Sequence, residues 1–309
     1  MLNVPRLRIL LELHRRGSLA QVAESMNYSP SAVSQQLSAL ERETGVQLLE
    51  HVGRGVRLTD HALGLVAHAE AVIARLEEAE AELAAAQPEL RGTLRVASFQ
   101  TVVVEIAPTV LTLLAQRHPH LQVEVSLRTV DAAYAGLLSY GFDVILGEEF
   151  PGLPEPVRDG VDRFDLARDA FRLAVPASGH WARQPVSLGE LADVPWALDP
   201  ADTTAGMWSR TVCRRAGFEP QIRFEGPDPL MHAHLVRSGH AAAFLPDLIV
   251  VNHARGIELF ALPDDPHRML YTAARSGRAG HPAIRAFRAA LGQAAADRGD
   301  LIPESAVTW

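Results

Sequence analysis

An unusually regular apolar repeat runs through residues 62–86 and constrains this chain more than any other feature. Small or apolar side chains recur at alternating steps of three and four, at Ala62, Leu65, Ala69, Val72, Leu76, Ala79, Leu83 and Ala86. This spacing is that of a heptad seam, and it predicts one continuous helix roughly 37 Å long at about 1.5 Å per residue. The seam can pack on a second copy of the helix or on the chain's own domain. Its alternation of alanine with larger residues favours the second copy.

The segment before the repeat predicts three short helices. Apolar residues lie near helical spacing up to residue 13, and Gly17 can end the first helix in the left-handed conformation. Ser18 and Gln21 form the capping-box pattern of a second helix. Ser29 followed by Pro30 is a strong start for a third helix, which runs to about residue 43 and can have Gly45 as its C-cap. Two helices joined by a tight turn form the helix-turn-helix pattern.

The third predicted helix begins with polar residues that a plain core helix does not need. Val33, Leu37 and Leu40 supply its buried side, whereas small hydroxyl and amide side chains occupy its early turns. In a helix-turn-helix, the start of the second helix meets base edges, where such groups can bond to bases or phosphates. We therefore expect DNA contacts from four residues of this helix: Ser29, Ser31, Ser34 and Gln35.

Residues 46–60 predict two short strands that form a wing. Gly53 and Gly55 allow the chain to turn, and Arg54 between them can reach a minor groove or phosphates. The alternative is a structural helical hairpin with a solvated arginine turn, which the attached wing makes less favoured. Residues 1–60 contain seven arginines and six acidic residues, so the charge of this segment is nearly balanced. A dimer would double the contacts with DNA.

Residues 18–60 resemble the LysR-type transcriptional regulators in one continuous register. The matching stretch is SLAQVAESMNYSPSAVSQQLSALERETGVQLLEHVGRGVRLTD, which follows the family pattern through the second helix, the recognition helix and the wing. Leu49 and His51 depart from the usual Phe and Arg, and His61 from the usual Glu. The resemblance implies DNA contacts at the four helix residues and at Arg54. It also implies dimerisation through the helix at 62–86, with a dimer or tetramer on promoter DNA and RNA polymerase as a further partner.

The remaining two hundred residues change to an alternation of strands and helices. Strands are predicted at 93–98, 121–127 and 142–146, with helices at 102–116 and 132–138 between them. A second unit follows from about residue 165, and the strand at 270–273 and the helix at 282–295 return to the first. Such alternation predicts an α/β domain with a mainly parallel sheet.

The motifs GTLRVAS at 92–98 and GHAAAFLP at 239–246 extend the resemblance over nearly the whole chain. The implied fold class is α/β with an N-terminal winged helix-turn-helix, a long linker helix and a two-subdomain α/β effector domain resembling periplasmic solute-binding proteins. The expected domains are 1–60, 61–88 and 91–309. Within the last, subdomain I comprises about 91–164 and 268–309, and subdomain II about 165–267.

Ligands of such sheets bind in the cleft between the units, at the carboxyl ends of strands and at helix N-termini. Nine residues occupy these positions and are predicted to contact the effector: Ser98, Phe99, Gln100, Thr101, Thr129, Gly147, Glu148, Thr203 and Thr204. Free amides beside Gln100 and Thr101 would suit a carboxylate effector. Glu148 could instead pair with an amine, or belong to a solvated loop. Each residue alone could equally be a cap or a turn former.

Composition narrows the functional classes. A net charge of −8 argues against a basic nucleic-acid coat, and the single Cys213 allows neither an internal disulfide nor a cysteine metal cluster. The first residues lack a secretory pattern, and no apolar run reaches bilayer length, so a cytoplasmic location is expected. His232 and His234 lie two apart on a helix and are expected at the surface rather than on a metal. We expect no catalytic residues, no metal and no cofactor.

The sequence predicts a ligand-responsive transcriptional regulator that binds promoter DNA as a dimer or tetramer. Two rivals remain open. One is a small-molecule-binding protein or enzyme whose N-terminal helices serve only assembly, although no catalytic motif of the common classes is present. The other is a constitutive DNA-binding protein whose cleft is vestigial.

Overall fold

The computed structural model describes residues 1–53, 55–184 and 187–303. The chain begins with three helices and a two-stranded antiparallel hairpin: α1 (Val4–Arg16), α2 (Leu19–Met26), α3 (Pro30–Thr44), β1 (Leu49–Val52) and β2 (Gly55–Leu58). The predicted caps are present. Gly17 and Gly45 adopt left-handed conformations at the ends of α1 and α3, and the Ser29 hydroxyl accepts a hydrogen bond from the amide of Ala32. The winged helix-turn-helix is therefore confirmed.

Helix α4 (Asp60–Ala85) confirms the predicted long linker helix. Its buried stripe differs from the predicted seam, because it comprises Ala62, Val66, Ala69, Ile73, Glu77 and Ala81. The first half of this stripe packs into the core of the winged domain, and the second half lies against the effector domain. Val72, Leu76 and Leu83 of the predicted seam are exposed. The helix thus has two apolar faces. The buried stripe packs on the same chain, and the face that carries Val72, Leu76 and Leu83 is exposed in a single copy.

The first half of the effector domain alternates strands and helices as predicted: β3 (Gly92–Ser98), α5 (Gln100–Glu105), α6 (Ala107–Arg117), β4 (Leu121–Leu127), α7 (Val130–Leu138) and β5 (Val144–Glu149). The single helix predicted at 102–116 is two helices, α5 and α6, which meet at Ile106. Pro108 in the first turn of α6 cannot donate to the preceding turn, which accounts for the break.

The second half contains the strands that join the two subdomains. Its elements are β6 (Val161–Pro176), β7 (Pro195–Leu198), α8 (Thr204–Arg215), β8 (Gln221–Glu225), α9 (Pro229–Arg237), β9 (Ala243–Pro246), α10 (Asp247–His253), β10 (Ile257–Ala261), β11 (His267–Arg275), α11 (Pro282–Ala296) and β12 (Leu301–Pro303). Short 3₁₀ turns lie at Leu188–Leu191 and Ser276–Arg278.

The large sheet has the strand order β10-β6-β11-β5-β3-β4, and β9 and β12 also pair with β6. Only the β3–β4 and β3–β5 pairs are parallel, whereas β5, β11, β6 and β10 pair antiparallel. The prediction of a mainly parallel sheet was therefore wrong for this sheet. The reason is that β6 leaves the first subdomain and β11 returns to it, so two neighbouring strands run in opposite directions. A second, parallel pair is formed by β7 and β8.

Separate apolar cores support the two subdomains. One lies between the large sheet and the helices α6 and α11, and the other surrounds Trp196 and Trp208 in the second subdomain. Among the described helices, none is both long enough and apolar enough to cross a membrane.

Candidate DNA-reading surface and effector cleft

The start of α3 presents a polar, uncovered surface. Ser29, Ser31, Ser34 and Gln35 are all exposed, while Val33, Leu37 and Leu40 anchor the opposite side of the helix in the core. The hydroxyl oxygens of Ser29 and Ser31 lie 2.9 Å apart. The four predicted residues therefore share one surface at one helix end, where hydroxyl and amide groups are free to meet a duplex.

Glu41 holds the wing against α3. Its Oε1 accepts hydrogen bonds from the backbone amides of Leu48 and Leu49, at 2.9 and 3.1 Å, just where β1 begins. Within the hairpin, Arg57 donates to Glu50 at 2.7 Å. Arg54 lies outside the described residues, so its predicted contact stays a prediction.

Tyr140 joins the winged domain to the effector domain. Its ring lies between two guanidinium groups, with Arg8 of α1 at 4.4 Å from the ring centroid and Arg275 of β11 at 4.5 Å. Tyr140 also packs against the winged-domain core and adopts a φ of 65°. Nearby, Arg15 of α1 donates to the carbonyl of Leu138 at 3.0 Å. These contacts give the DNA-reading domain a defined orientation on subdomain I.

A cavity of about 600 Å³ lies between the two effector subdomains. Seven of the nine predicted effector residues line it: Phe99, Gln100, Thr101, Thr129, Glu148, Thr203 and Thr204. The side chain of Ser98 is buried and faces the core beneath α6 instead of the cavity. Gly147 is not part of the lining either, since the ring of Tyr271 covers it so closely that an added Cβ would lie 2.2 Å from Cζ.

Aromatic side chains form one wall of this cavity. Phe171 stacks on Phe150 with ring centroids 5.6 Å apart and lies 4.3 Å from the ring of Trp208. Phe244 continues the wall, 5.5 Å from Trp208. Such a surface can hold the apolar body of a small molecule.

Arg268 of β11 is fully buried at the base of the cavity and binds acidic partners on both sides. It donates to Asp169 through Nε and Nη2 at 2.9 and 2.6 Å, to Glu148 through Nη1 at 2.5 Å, and to the Thr101 hydroxyl at 3.0 Å. Burial raises the pKa of Glu148, and the charge of Arg268 opposes this rise. Glu148 is thus neither in a solvated loop nor unpaired.

Asp199 faces this cluster from the other subdomain, directly after β7. It makes no hydrogen bond or ion pair with any described side chain. Burial, together with the negative charge of Glu148, raises the pKa of Asp199 to about 7. Near neutral pH the carboxyl group of Asp199 is therefore present in both its protonated and its ionised form.

Two further polar atoms of the lining have no hydrogen-bond partner in the described part of the chain, Oε1 of Gln100 and Nε2 of His232. His232 is only 2% exposed, so its expected surface position was wrong. Burial lowers the pKa of His232, and the backbone of Gly226 offsets this only in part. Lowering of the pKa favours the neutral ring, whose Nε2 is the nitrogen left without a partner among the described residues.

The sequence analysis missed the residues that give the cavity its charge and its aromatic wall. Asp199 directly follows β7 and could have been found by the rule that selected Thr101 and Thr129. Arg268, Phe171 and Phe244 lie inside strands, and which side of a strand faces a cleft is decided by sheet pairing. Cys213 is buried, and burial raises the pKa of its thiol to about 12, so it is held as a neutral apolar side chain.

Comparison with known proteins gives matches over both parts of the chain. Residues 5–63 match the bacterial regulatory helix-turn-helix protein model of the lysR family, and residues 87–296 match the LysR substrate binding domain. A relative from Synechococcus elongatus, described as the probable HTH-type transcriptional regulator LrrA, is 25% identical over 95% of this chain and 98% of its own.

Solved structures share the fold. Full-length OxyR C199D from Pseudomonas aeruginosa matches with a TM-score of 0.64 at 21% identity, covering 94% of this chain and 95% of that one. Full-length CbnR complexed with its target DNA matches with a TM-score of 0.53 at 22% identity, covering 95% and 100%.

Proposed function

This chain belongs to the LysR family of ligand-responsive, DNA-binding transcriptional regulators, and from that premise we propose how its own residues read DNA and sense a ligand. The family consists of regulators and not enzymes, which decides against the rival enzymatic interpretation. The observation that carries the proposal is the exposed polar start of α3, which the other described residues leave uncovered.

In the proposed complex, α3 enters the major groove with its first turns. Gln35 can bond an adenine edge through both amide atoms, and Ser34 a base or a phosphate. Ser29 and Ser31 lie at the helix N-terminus, which suits phosphate oxygens. Arg54 extends the contact from the wing to phosphates or a minor groove. A bacterial promoter lies in the cytoplasm, so we propose that location for the chain, with RNA polymerase as a further partner there.

A second copy covers the exposed face of α4 in this proposal. Val72, Leu76 and Leu83 are 47, 43 and 71% exposed, and they lie with Ala79 on the predicted seam. Pairing these faces would remove large apolar side chains from water and would present two α3 helices to neighbouring half-sites. A tetramer would extend this arrangement.

The effector occupies the cavity between the subdomains in this proposal, in contact with Gln100, Thr101, Thr129 and Thr203. In this proposal, closure of the cleft bends the chain where β6 and β11 connect the two subdomains, and the two strands stay paired. Because β11 carries Arg275, which contacts both α4 and Tyr140, closure changes the placement of the winged domains. A ligand can do this only if it binds the two arrangements with different affinities.

The test is a gel-shift measurement with the full chain and DNA selected by the protein from a random pool. The Ser34→Ala/Arg54→Ala double variant removes one groove contact and one wing contact, and each such contact is worth about 1–3 kcal/mol. Binding should therefore weaken by at least about tenfold. Arg91→Ala, an exposed arginine beyond α4, is the control and should bind as the parent chain does. Unchanged affinity of the double variant would refute the DNA-reading surface.

A further inference from the structure

The charged groups that line the cavity are unbalanced. Six are carboxylates and two are guanidinium groups: Asp131, Glu148, Glu155, Asp199, Asp202, Asp228, Arg128 and Arg268. Arg158 is not part of the lining but lies 3.9 Å from both Asp131 and Glu155. Its single positive charge therefore balances only one of these two carboxylates. The cavity therefore carries an excess of negative charge before any ligand enters.

The guanidinium group of Arg268 is already bonded to groups of the protein. Arg268 directs its guanidinium group at Asp169, Glu148 and Thr101, and each of Nε, Nη1 and Nη2 has a protein acceptor. Asp169 and Glu148 together outweigh its single positive charge. A carboxylate effector that binds Arg268 would have to displace one of these buried partners, and a buried carboxylate left without its cation is strongly unfavourable.

Three of the helix N-termini at the cavity are occupied by the chain's own caps. Thr129 accepts from Ala132 at the start of α7, Thr203 accepts from Gly206 at the start of α8, and Asp228 accepts from Met231 at the start of α9. Two of the distances are 3.0 Å or less. Asp131 adds a negative charge to the first turn of α7. These three ends offer little to a carboxylate, whereas the start of α5 beside Gln100 and Thr101 has no side-chain cap.

The groups without a partner are mainly acceptors. Asp199 has no partner among the described side chains, and Oε1 of Gln100 is a buried acceptor without a donor. Nε2 of His232, in a ring that is 98% buried, can accept as well when the proton is on the other nitrogen. A buried acceptor without a donor costs free energy that a ligand N–H can recover.

We propose that the effector of this regulator is an organic cation, with a primary ammonium or amidinium group held between Asp199 and Glu148 and an apolar body packed on Phe150, Phe171 and Trp208. This inference rests on the proposed function, because it assumes that the cavity is the effector site. It replaces the carboxylate that the sequence alone favoured.

The same geometry explains why the cation would close the cleft. Glu148 belongs to β5 in subdomain I, and Asp199 follows β7 in subdomain II, so their like charges oppose approach of the two subdomains. A cation between them turns repulsion into attraction on both sides. Its differential affinity for the closed arrangement is what couples binding to the position of the winged domains.

Three probes of similar shape test the charge directly: phenethylamine, phenethyl alcohol and phenylacetate. Binding to the full chain is measured by calorimetry at pH 8, where Asp199 is ionised. Phenethylamine should bind at least about tenfold more tightly than phenylacetate, since opposite charges in a partly buried site readily supply the ~1.4 kcal/mol that this ratio needs. Asp199→Asn should remove this preference, and Asp193→Asn, an exposed acid of the same subdomain, should keep it.

Other outcomes separate this inference from the proposed function. Tighter binding of phenylacetate, lost in a Trp208→Ala variant, would keep the cavity as the effector site and overturn the cation. Absence of binding by phenethylamine at millimolar concentration, or binding unaffected by Asp199→Asn, would also overturn the cation. Gel shifts of the same protein preparations, without any of the three small molecules, report DNA binding independently.

Discussion

The guanidinium group of Arg275 donates from Nε to Oε1 of Glu77 at 2.7 Å and so joins β11 of the effector sheet to the linker helix. The two side chains are only 9 and 5% exposed. Arg275 also donates from Nη1 to the carbonyls of Leu137 and Phe142. A charge pair buried at this junction fixes how α4 lies on subdomain I.

Glu77→Ala should destabilise the protein strongly, because it leaves the buried guanidinium without its charge partner. The expected loss in the free energy of unfolding is about 3–5 kcal/mol, measured by urea denaturation. Glu80→Ala is the matched control on the same helix, since Glu80 is 60% exposed and meets Arg278 at 3.3 Å. That exposed pair should cost no more than about 1 kcal/mol. Equal effects of the two variants would contradict a structural junction at Glu77.

Gly277→Ala should disturb the same junction by steric overlap. An added Cβ at Gly277 would lie 2.4 Å from the carbonyl oxygen of Ala74 in α4, so the helix and the 3₁₀ turn must separate. We expect a loss of about 1–3 kcal/mol in the free energy of unfolding, the usual cost of overpacking. Gly280→Ala has open space at its Cβ position and serves as the control. An unchanged free energy of unfolding in Gly277→Ala would show that α4 can be displaced without loss of stability.

Leu76→Glu together with Leu83→Glu should dissociate the proposed dimer without unfolding the chain. Both side chains are exposed in the single copy, so the introduced charges should cost little free energy of folding. In a dimer the partner helix would bury these charges, and that burial is unfavourable. Analytical ultracentrifugation should show a monomer at micromolar concentration. Val251→Glu places a charge on another exposed apolar residue, 60% exposed on α10, and should leave the assembly unchanged. A double variant that assembles normally would exclude this face of α4 as the interface.

Asp199→Asn should stabilise the effector-free protein more at pH 8 than at pH 5. Because folding raises the pKa of Asp199 from 3.8 to about 7, the folded state holds the proton more tightly than the unfolded state. Stability from this group is therefore complete below about pH 4 and is lost as pH rises through about 7. Removing the charge should recover about 1–3 kcal/mol at pH 8. A variant equally stable at both pH values relative to the parent chain would contradict the raised pKa.

Binding of phenethylamine should strengthen as pH rises from 6 to 8, because the cation needs an ionised Asp199. Glu148 and Arg268 from subdomain I and Arg210 from α8 set the charge around this carboxyl. Burial lowers the pKa of His232, which acts against protonation of this ring as pH falls. Calorimetry should show an affinity that levels off above about pH 7. In Asp199→Asn this rise should be absent, and a rise that persists would assign the titration to another group.

Much of the fold was predictable because it depends on local chemistry. Ser29 and Gly45 cap α3 where the sequence places them, and the limits of the strand at 121–127 agree with the structure to the residue. The split of the helix at 102–116 was missed, although Pro108 was a visible signal. Seven residues of the cavity lining were identified because ends of strands and starts of helices can be recognised without knowing the fold.

The sequence by itself determined the capped helices, the polar first turns of α3, the wing strands and the alternation of the effector domain, because each depends on neighbours within a few residues. Only the tertiary structure decided which stripe of α4 is buried, that Ser98 and Gly147 face away from the cavity, and that Arg268 is neutralised by Asp169 and Glu148. Those features depend on strands and helices that lie far apart in the chain. The pairing of β6 with β11 brings them together, and no local pattern encodes it.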